Sequence, residues 1–281
     1  MSISTGVFHT FLALCVFSAA AGVARARIRK KPFEPIEGQA GKDLIWVPTP
    51  VALVETMLDI AYVTPQDYVI DLGSGDGRNV IAAAKRGARA LGVEYNANMI
   101  EVSQRIAAIE GVGDRARFVQ GDMYEADISQ ATVLALFLLP ENLRTLTAKF
   151  LELRPGTRIV TNRFGIDGWE PDEMRRIGGD SASCCTALLY VVPARVAGTW
   201  HLPDGELMLE QAFQMLSGTL WLRDARMPIE NSRLRGDEIS FSAGGVEYVG
   251  SVTGDVIQGT TKGKAMGGWS AMRARSTVYG G

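Results

Sequence analysis

A chain of 281 residues that is 47% hydrophobic and 21% charged has the composition of a folded globular protein, large enough for one big domain or two small ones, and this excludes a disordered tail. A formal charge of −2 gives no basic surplus, so nucleic acid is not an expected partner. With His9 and His201 as its histidines and Cys15, Cys184 and Cys185 as its cysteines, the chain offers neither a histidine-based triad nor a metal-ligand spacing, so hydrolase and metal chemistry are not expected.

Residues 1–31 read as a separate segment. Val7 to Ala24 is uncharged and mostly apolar, and Arg25, Arg27, Arg29, Lys30 and Lys31 crowd its far end. About 18 apolar residues just span a bilayer, and basic flanks stay on the cytoplasmic side, which predicts a membrane anchor with the main domain facing the cytoplasm. The small residues of Ala24-Arg25-Ala26 keep the alternative of a secretory signal, cleaved on export.

After a polar linker around Glu37 to Lys42, strand-like and helix-like segments alternate from about residue 43 to 165. This alternation predicts an α/β domain over 32–183, a doubly wound and mainly parallel sheet covered by helices. In "WVPTPVALVETMLDIA", Thr49 suits a helix cap and Pro50 the first turn, with Val51, Val54, Met57, Leu58 and Ala61 on one face. Short apolar runs at 68–71, 90–94, 117–119, 132–139 and 158–162 read as five strands. From Cys184 onward, β-prone runs punctuated by Gly, Asp and Asn predict a small antiparallel sandwich or barrel-like domain over 184–281.

The stretch "VIDLGSGDGRNV" delivers a strand end, Asp71, to the crevice where open α/β sheets bind ligands. Gly73, Gly75 and Gly77 let the backbone turn sharply there, and the helix that follows presents free amides. The spacing is G-x-G-x-G and not G-x-G-x-x-G, and Asp71 and Asp76 are poor company for a diphosphate, which disfavours a nicotinamide-dependent oxidoreductase. Two carboxylates suit a cationic cofactor, and S-adenosylmethionine carries an ammonium and a sulfonium. Glu94 closes the next strand, where an acid accepts from ribose hydroxyls, and Asp122 follows the third, placed for an adenine amino group.

The segments "DLGSGDGR", "GVEYN", "GDMYEAD" and "ATVLALFLLPENLRTL", preceded by "WVPTP" and followed by "PGTRIVTNRFGIDGWEPDE", resemble the class I S-adenosylmethionine methyltransferases. The likeness covers about residues 43–173. Within the class it is closest to the lysine methyltransferases of the mitochondrial adenine nucleotide translocase and the ATP synthase c-subunit, with their bacterial relatives. The resemblance implies a Rossmann-like methyltransferase fold and places the cofactor on Asp71, Gly73, Gly75, Glu94 and Asp122, with Thr49 and Pro50 in a lid. It also implies N-methylation of a protein lysine, with a membrane protein as a natural partner.

Methyl transfer needs an aligned electron pair and excluded water rather than a covalent nucleophile. "LFLLP" after the fourth strand offers apolar walls and carbonyls but no acid, so Phe137, Leu139 and Pro140 are expected to orient the amine, with Asn162 and Trp169 nearby. The contrasting expectation is a non-catalytic cofactor-binding protein whose β-rich half recognises a partner or lipid.

Overall fold

The structure, a computed structural model, describes residues 31–43, 45–178, 185–263 and 266–274. The leader reading and Cys184 fall outside them, and no described helix is long and apolar enough to cross a membrane. The elements below all belong to the second of the chain's two units, Met1–Pro32 and Phe33–Gly281.

Five strands fall where the apolar runs predicted them: β1 (Tyr68–Leu72), β2 (Arg89–Glu94), β3 (Ala116–Gln120), β4 (Val133–Leu136) and β5 (Arg158–Asn162). Helix α1 (Val51–Ile60) precedes β1, and α2 (Arg78–Lys85), α3 (Ala97–Ile109) and α4 (Pro140–Phe150) follow β1, β2 and β4. With β6 (Glu173–Arg176) and β7 (Thr186–Val191) they form a seven-stranded sheet ordered β3-β2-β1-β4-β5-β7-β6, in which β1 to β5 run parallel and β7 antiparallel to both neighbours. Val69, Val133, Ala135 and Val160 point to one face with α1, α2 and α3, and Ile70, Leu72, Leu134 and Leu136 point to the other with α4. Strands buried on both faces must be apolar throughout, which is why their positions were readable.

Three expectations change. Strand β7 lies in the first sheet, so the change of sheet falls after Val191 and not at Cys184; a β-prone run does not say which edge it joins. Thr49 does not cap α1: Pro50 is the N-cap, with no side-chain cap hydrogen bond, and the Thr49 hydroxyl faces Asn162 instead. Val51 is 71% exposed rather than on the buried face, which is carried by Leu53, Val54, Met57, Leu58 and Ile60.

The remaining strands are β8 (Gly198–Leu202), β9 (Gly205–Ala212), β10 (Met215–Leu222), β11 (Ala225–Pro228), β12 (Glu230–Arg235), β13 (Glu238–Ala243), β14 (Val246–Thr253), β15 (Val256–Gly263) and β16 (Gly267–Arg273). They form a nine-stranded antiparallel sheet, ordered β11-β10-β9-β8-β16-β15-β14-β13-β12. The Ile229 amide donates to the Gly218 carbonyl at 3.1 Å and the Ser232 hydroxyl to the Leu216 carbonyl at 2.6 Å, so the two ends of the sheet curl together into a nearly closed barrel. Its interior holds fully buried Trp200 and a cluster in which Phe241 and Tyr248 stack at 4.8 Å with Trp269 edge-on to both.

Candidate active site

The C-terminal ends of β1, β2, β4 and β5 open on one crevice, at the point where the strand order reverses between β1 and β4. Two adjoining hollows occupy it and share Gly73 and Trp46. One contains Glu94, Gly121, Asp122 and Lys42, and the other Asp71, Asp76, Thr49, Phe137, Leu139, Arg163 and Phe164.

The glycine turn is shaped for close approach. Gly75 has φ +55°, and a Cβ there would lie 2.6 Å from Trp46 Nε1; at Gly77, φ +80°, it would lie 2.5 Å from the Phe118 ring. Within the turn, the Gly73 and Ser74 amides donate to the Val93 carbonyl at 2.8 and 3.1 Å, which pins the turn to β2. We expect Gly75→Ala to displace Trp46, weakening S-adenosylhomocysteine affinity about tenfold or more, since close packing here leaves a methyl no room. Calorimetry with unchanged affinity would refute it.

Asp71 is buried at the end of β1 and accepts from Asn79 Nδ2 at 3.1 Å. Burial pushes its carboxyl well above the usual carboxylate range, and the charges of Glu94 and Asp76 push the same way, against the Asn79 hydrogen bond. Ser74 Oγ and Asn79 Oδ1 beside it are buried without a hydrogen-bond partner among the described residues. A desolvated acid with unmatched polar neighbours is a site that a cationic group would complete, and on this observation the residues fit S-adenosylmethionine.

Asp76 plays a different part from the one expected. Arg78 grips it with two nitrogens, Nε to Oδ1 at 2.9 Å and Nη2 to Oδ2 at 2.5 Å, and Arg78 Nη1 bonds the Thr49 carbonyl. Its charge is thus answered within the chain, and the pair ties the turn to the start of α1. Glu94 accepts from the Gly75 and Asn96 amides, each at 2.9 Å, so it braces the turn while its remaining lone pairs face the hollow. Asp122 accepts from the Tyr124 amide at 2.9 Å and pairs with Lys42. The Lys42 hydrogen bond, followed by that of Tyr124, holds the Asp122 carboxyl below its ordinary range.

The segment ahead of Thr49 and Pro50 also reaches the crevice: the Gly38 amide donates to the Trp46 carbonyl at 2.9 Å, and Gln39, Lys42 and Trp46 line the first hollow. Buried Thr49 lines the second hollow, whereas Pro50 does not.

On the acceptor side, β4 ends at Leu136 and leaves Phe137, Leu138 and Leu139 to line the crevice. Pro140 instead opens α4 outside it. Asn162 is buried behind Thr49, with Nδ2 at 3.4 Å from its hydroxyl. Trp169 is not at the site: it is buried between Tyr190 and Phe213, because the loop after β5 turns away toward the second sheet. Sequence reasoning missed Arg163 and Phe164. Both follow β5 directly, and that position at a strand's C-terminal end was the available signal.

Residues 71–173 match the family model described as the ANTKMT methyltransferase domain. The chain is 45% identical over 152 residues to a protein-lysine N-methyltransferase of Saccharolobus islandicus, covering 52% of this chain and 92% of that one. It is 34% identical over 139 residues to the ATP synthase c-subunit lysine N-methyltransferase of Xenopus laevis, covering 49% of this chain and 61% of the relative. Among solved structures it resembles an RNA methyltransferase of Salinibacter ruber in complex with S-adenosyl-L-homocysteine, at 39% identity and a TM-score of 0.50, covering 53% of this chain and 96% of that one.

Proposed function

We propose that this chain, which belongs to the ANTKMT methyltransferase family and is an S-adenosylmethionine-dependent methyltransferase, N-methylates the ε-amine of a protein lysine. The observation that carries the reading is the wall built after β4 and β5: Phe137, Leu138, Leu139 and Phe164 supply no carboxylate or imidazole, Arg163 stacks on Phe164 beside them at 5.1 Å, and the acids of this hollow, Asp71 and Asp76, stand with the glycine turn. S-adenosylmethionine, when bound, supplies a methyl group on a sulfonium whose charge is lost on transfer. The wall's part is to sheathe the four-carbon stem of a lysine and strip water from its amine, which lowers the amine's pKa so that a free electron pair is available. Carbonyls at the end of β4 would orient the nitrogen. Exposed Ile45, Val47 and Leu139 around the mouth suit an apolar protein surface, including that of a membrane protein.

A second reading has one observation behind it. The Phe137 and Phe164 rings, 6.4 Å apart and 21° from parallel, would suit a nucleobase, and the Salinibacter relative is described as an RNA methyltransferase. Against it, the chain's net charge is −2, and Arg78 at this crevice is already paired with Asp76. Labelled methyl transfer to a bacterial membrane extract decides: label removed by protease and resistant to ribonuclease is expected, and the reverse result rejects the lysine reading. Replacing Phe137 and Leu139 with alanine should lower transfer roughly tenfold or more while cofactor affinity stays within about twofold, because alignment and desolvation would be lost and cofactor contacts kept.

The apolar leader supports placing the enzyme at a membrane with its site facing the cytoplasm. Protease added to intact spheroplasts should leave the chain uncut, whereas cleavage, or recovery of the chain outside the cell, would favour export.

A further inference from the structure

The loop from Arg163 to Asp172 has two ends with different company. At its start, Arg163 and Phe164 line the acceptor hollow, and Phe164 packs against Phe137. At its finish it lies on the second sheet: Trp169 stacks on Phe213 at 5.1 Å and 11°, Gln214 Nε2 donates to the Glu170 carbonyl at 2.6 Å, and Asp172 Oδ1 lies 3.8 Å from Arg235 Nε. Between the two ends, the Ile166 amide donates to the Tyr190 hydroxyl at 3.1 Å and the Trp169 amide to the Ile166 carbonyl at 3.1 Å, so the loop is braced along its length.

Phe213 and Gln214 are the two-residue tip joining β9 to β10. Such tips favour Asn and Gly because the backbone enters the left-handed region, yet Phe213 holds φ +53°. Arg163 at the other end of the loop is likewise left-handed, at φ +67°. Strain of this kind persists where surrounding contacts impose it, and here both tip side chains reach the loop of the first sheet. The tip is held on the loop by the Trp169–Phe213 ring stack and the Gln214–Glu170 hydrogen bond, with the Asp172–Arg235 ion pair beside them.

We propose that the nine-stranded sheet positions the acceptor side of the active site: the Phe213-Gln214 tip holds Trp169 and Glu170, and through them sets Arg163 and Phe164 at the mouth. Phe213 and Gln214 are positioning residues that govern acceptor affinity and leave cofactor binding alone: Glu94 and Asp122 stand on β2 and beyond β3, in the other half of the sheet order, and Asp71 and the glycine turn, although they share the hollow with Phe164, are held by Asn79 and by the Val93 carbonyl and not by the loop after β5. The proposal rests on the lysine reading for its acceptor, but its physical core does not.

The test uses the full-length chain carrying Phe213→Ala, Gln214→Ala or the conservative Phe213→Tyr. Hydrogen exchange across residues 163–168 should quicken on the order of tenfold in the alanine variants, while residues 73–79 keep their protection and S-adenosylhomocysteine affinity stays within about twofold. With the acceptor found in membrane extract, KM should rise severalfold with kcat much less changed, and Phe213→Tyr should restore both. Unchanged exchange at 163–168 in a folded alanine variant, or cofactor affinity lost together with it, overturns the proposal. Should Phe213→Ala fail to fold, Gln214→Ala, which removes a single hydrogen bond from the tip, is read by the same measurements. Exchange and cofactor binding need no acceptor, so a wild-type enzyme that labels no protein sinks the lysine reading and leaves these two readouts to decide the clamp.

Discussion

Asp71→Asn should lower S-adenosylmethionine affinity by roughly a hundredfold, on the order of 2–3 kcal/mol, which is the scale of one charge-assisted hydrogen bond in a desolvated site. The same substitution should raise the melting temperature of the ligand-free protein. The two effects have one cause. Burial disfavours the ionised carboxyl, and Glu94 and Asp76 add to that, so the folded chain holds the Asp71 proton to higher pH than an unfolded chain does. An acid with a raised folded-state pKa costs stability once pH passes its unfolded value, so removing its charge stabilises the empty fold at neutral pH. A cation brought beside it favours the ionised form, so below the raised value binding expels a proton. Affinity should therefore fall as pH drops from the raised value toward the ordinary carboxylate range, and proton release should appear in calorimetry repeated in buffers of different ionisation enthalpy. The asparagine variant should show neither. Wild-type affinity in Asp71→Asn would remove the acid from the cofactor site altogether.

The second large effect lies at the opposite ends of the strands. Asp67, 5% exposed, accepts from Thr132 Oγ1 at 2.7 Å, from the Thr64 amide at 2.8 Å and from the Thr64 hydroxyl at 3.0 Å, and it pairs with Arg158 at the start of β5. Arg158 also caps the Ala61 carbonyl, 2.7 Å, at the end of α1. The network thus joins β1, β4, β5 and α1 at their base. Burial alone would raise the Asp67 pKa, but the hydrogen bonds from Thr132 and Thr64 and the Arg158 charge outweigh it and hold the carboxyl below its usual range. Arg158→Ala should cost about 3 kcal/mol, because it leaves a buried carboxylate without its counter-charge. Stability from a depressed acid is fully present above the unfolded pKa, about 4, and is lost as pH falls through the folded value. Urea midpoints should therefore fall between neutral pH and pH 3 more steeply in the wild type than in Asp67→Asn. A loss below about 1 kcal/mol for Arg158→Ala would show that the pair lies outside the cooperative core, in the range of exposed ion pairs.

The first sheet was legible because its chemistry is repetitive: a parallel strand covered on both sides has to be apolar along its length, and Val69-Ile70 and Leu134-Ala135-Leu136 admit few other readings. The acids lining the crevice were legible because a strand's end fixes where the next side chain goes. What escaped depends on partners distant in sequence. Nothing near Trp169 announces Phe213, 44 positions later, so a tryptophan after β5 read as part of the site. Lys42 sits in a polar linker whose importance rests on Asp122, across the crevice. Arg78, two residues from Asp76, could have been seen: an acid and a guanidinium at that spacing in a tight turn tend to meet, and the pair removes one of the charges that had been assigned to the cofactor.

The order of the second sheet has a consequence for biosynthesis. Strand β8 pairs on one side with β9, its neighbour in sequence, and on the other with β16, the last strand of the sheet. A ribosome therefore releases β8 to β11 as hairpins with one flank unsatisfied, and they must wait for the whole meander from β12 to β16 before the circle can draw shut. Because the β9–β10 tip bears on Trp169 and Glu170 in the loop after β5, a nascent chain would complete the crevice at the strand ends before the circle that braces that loop.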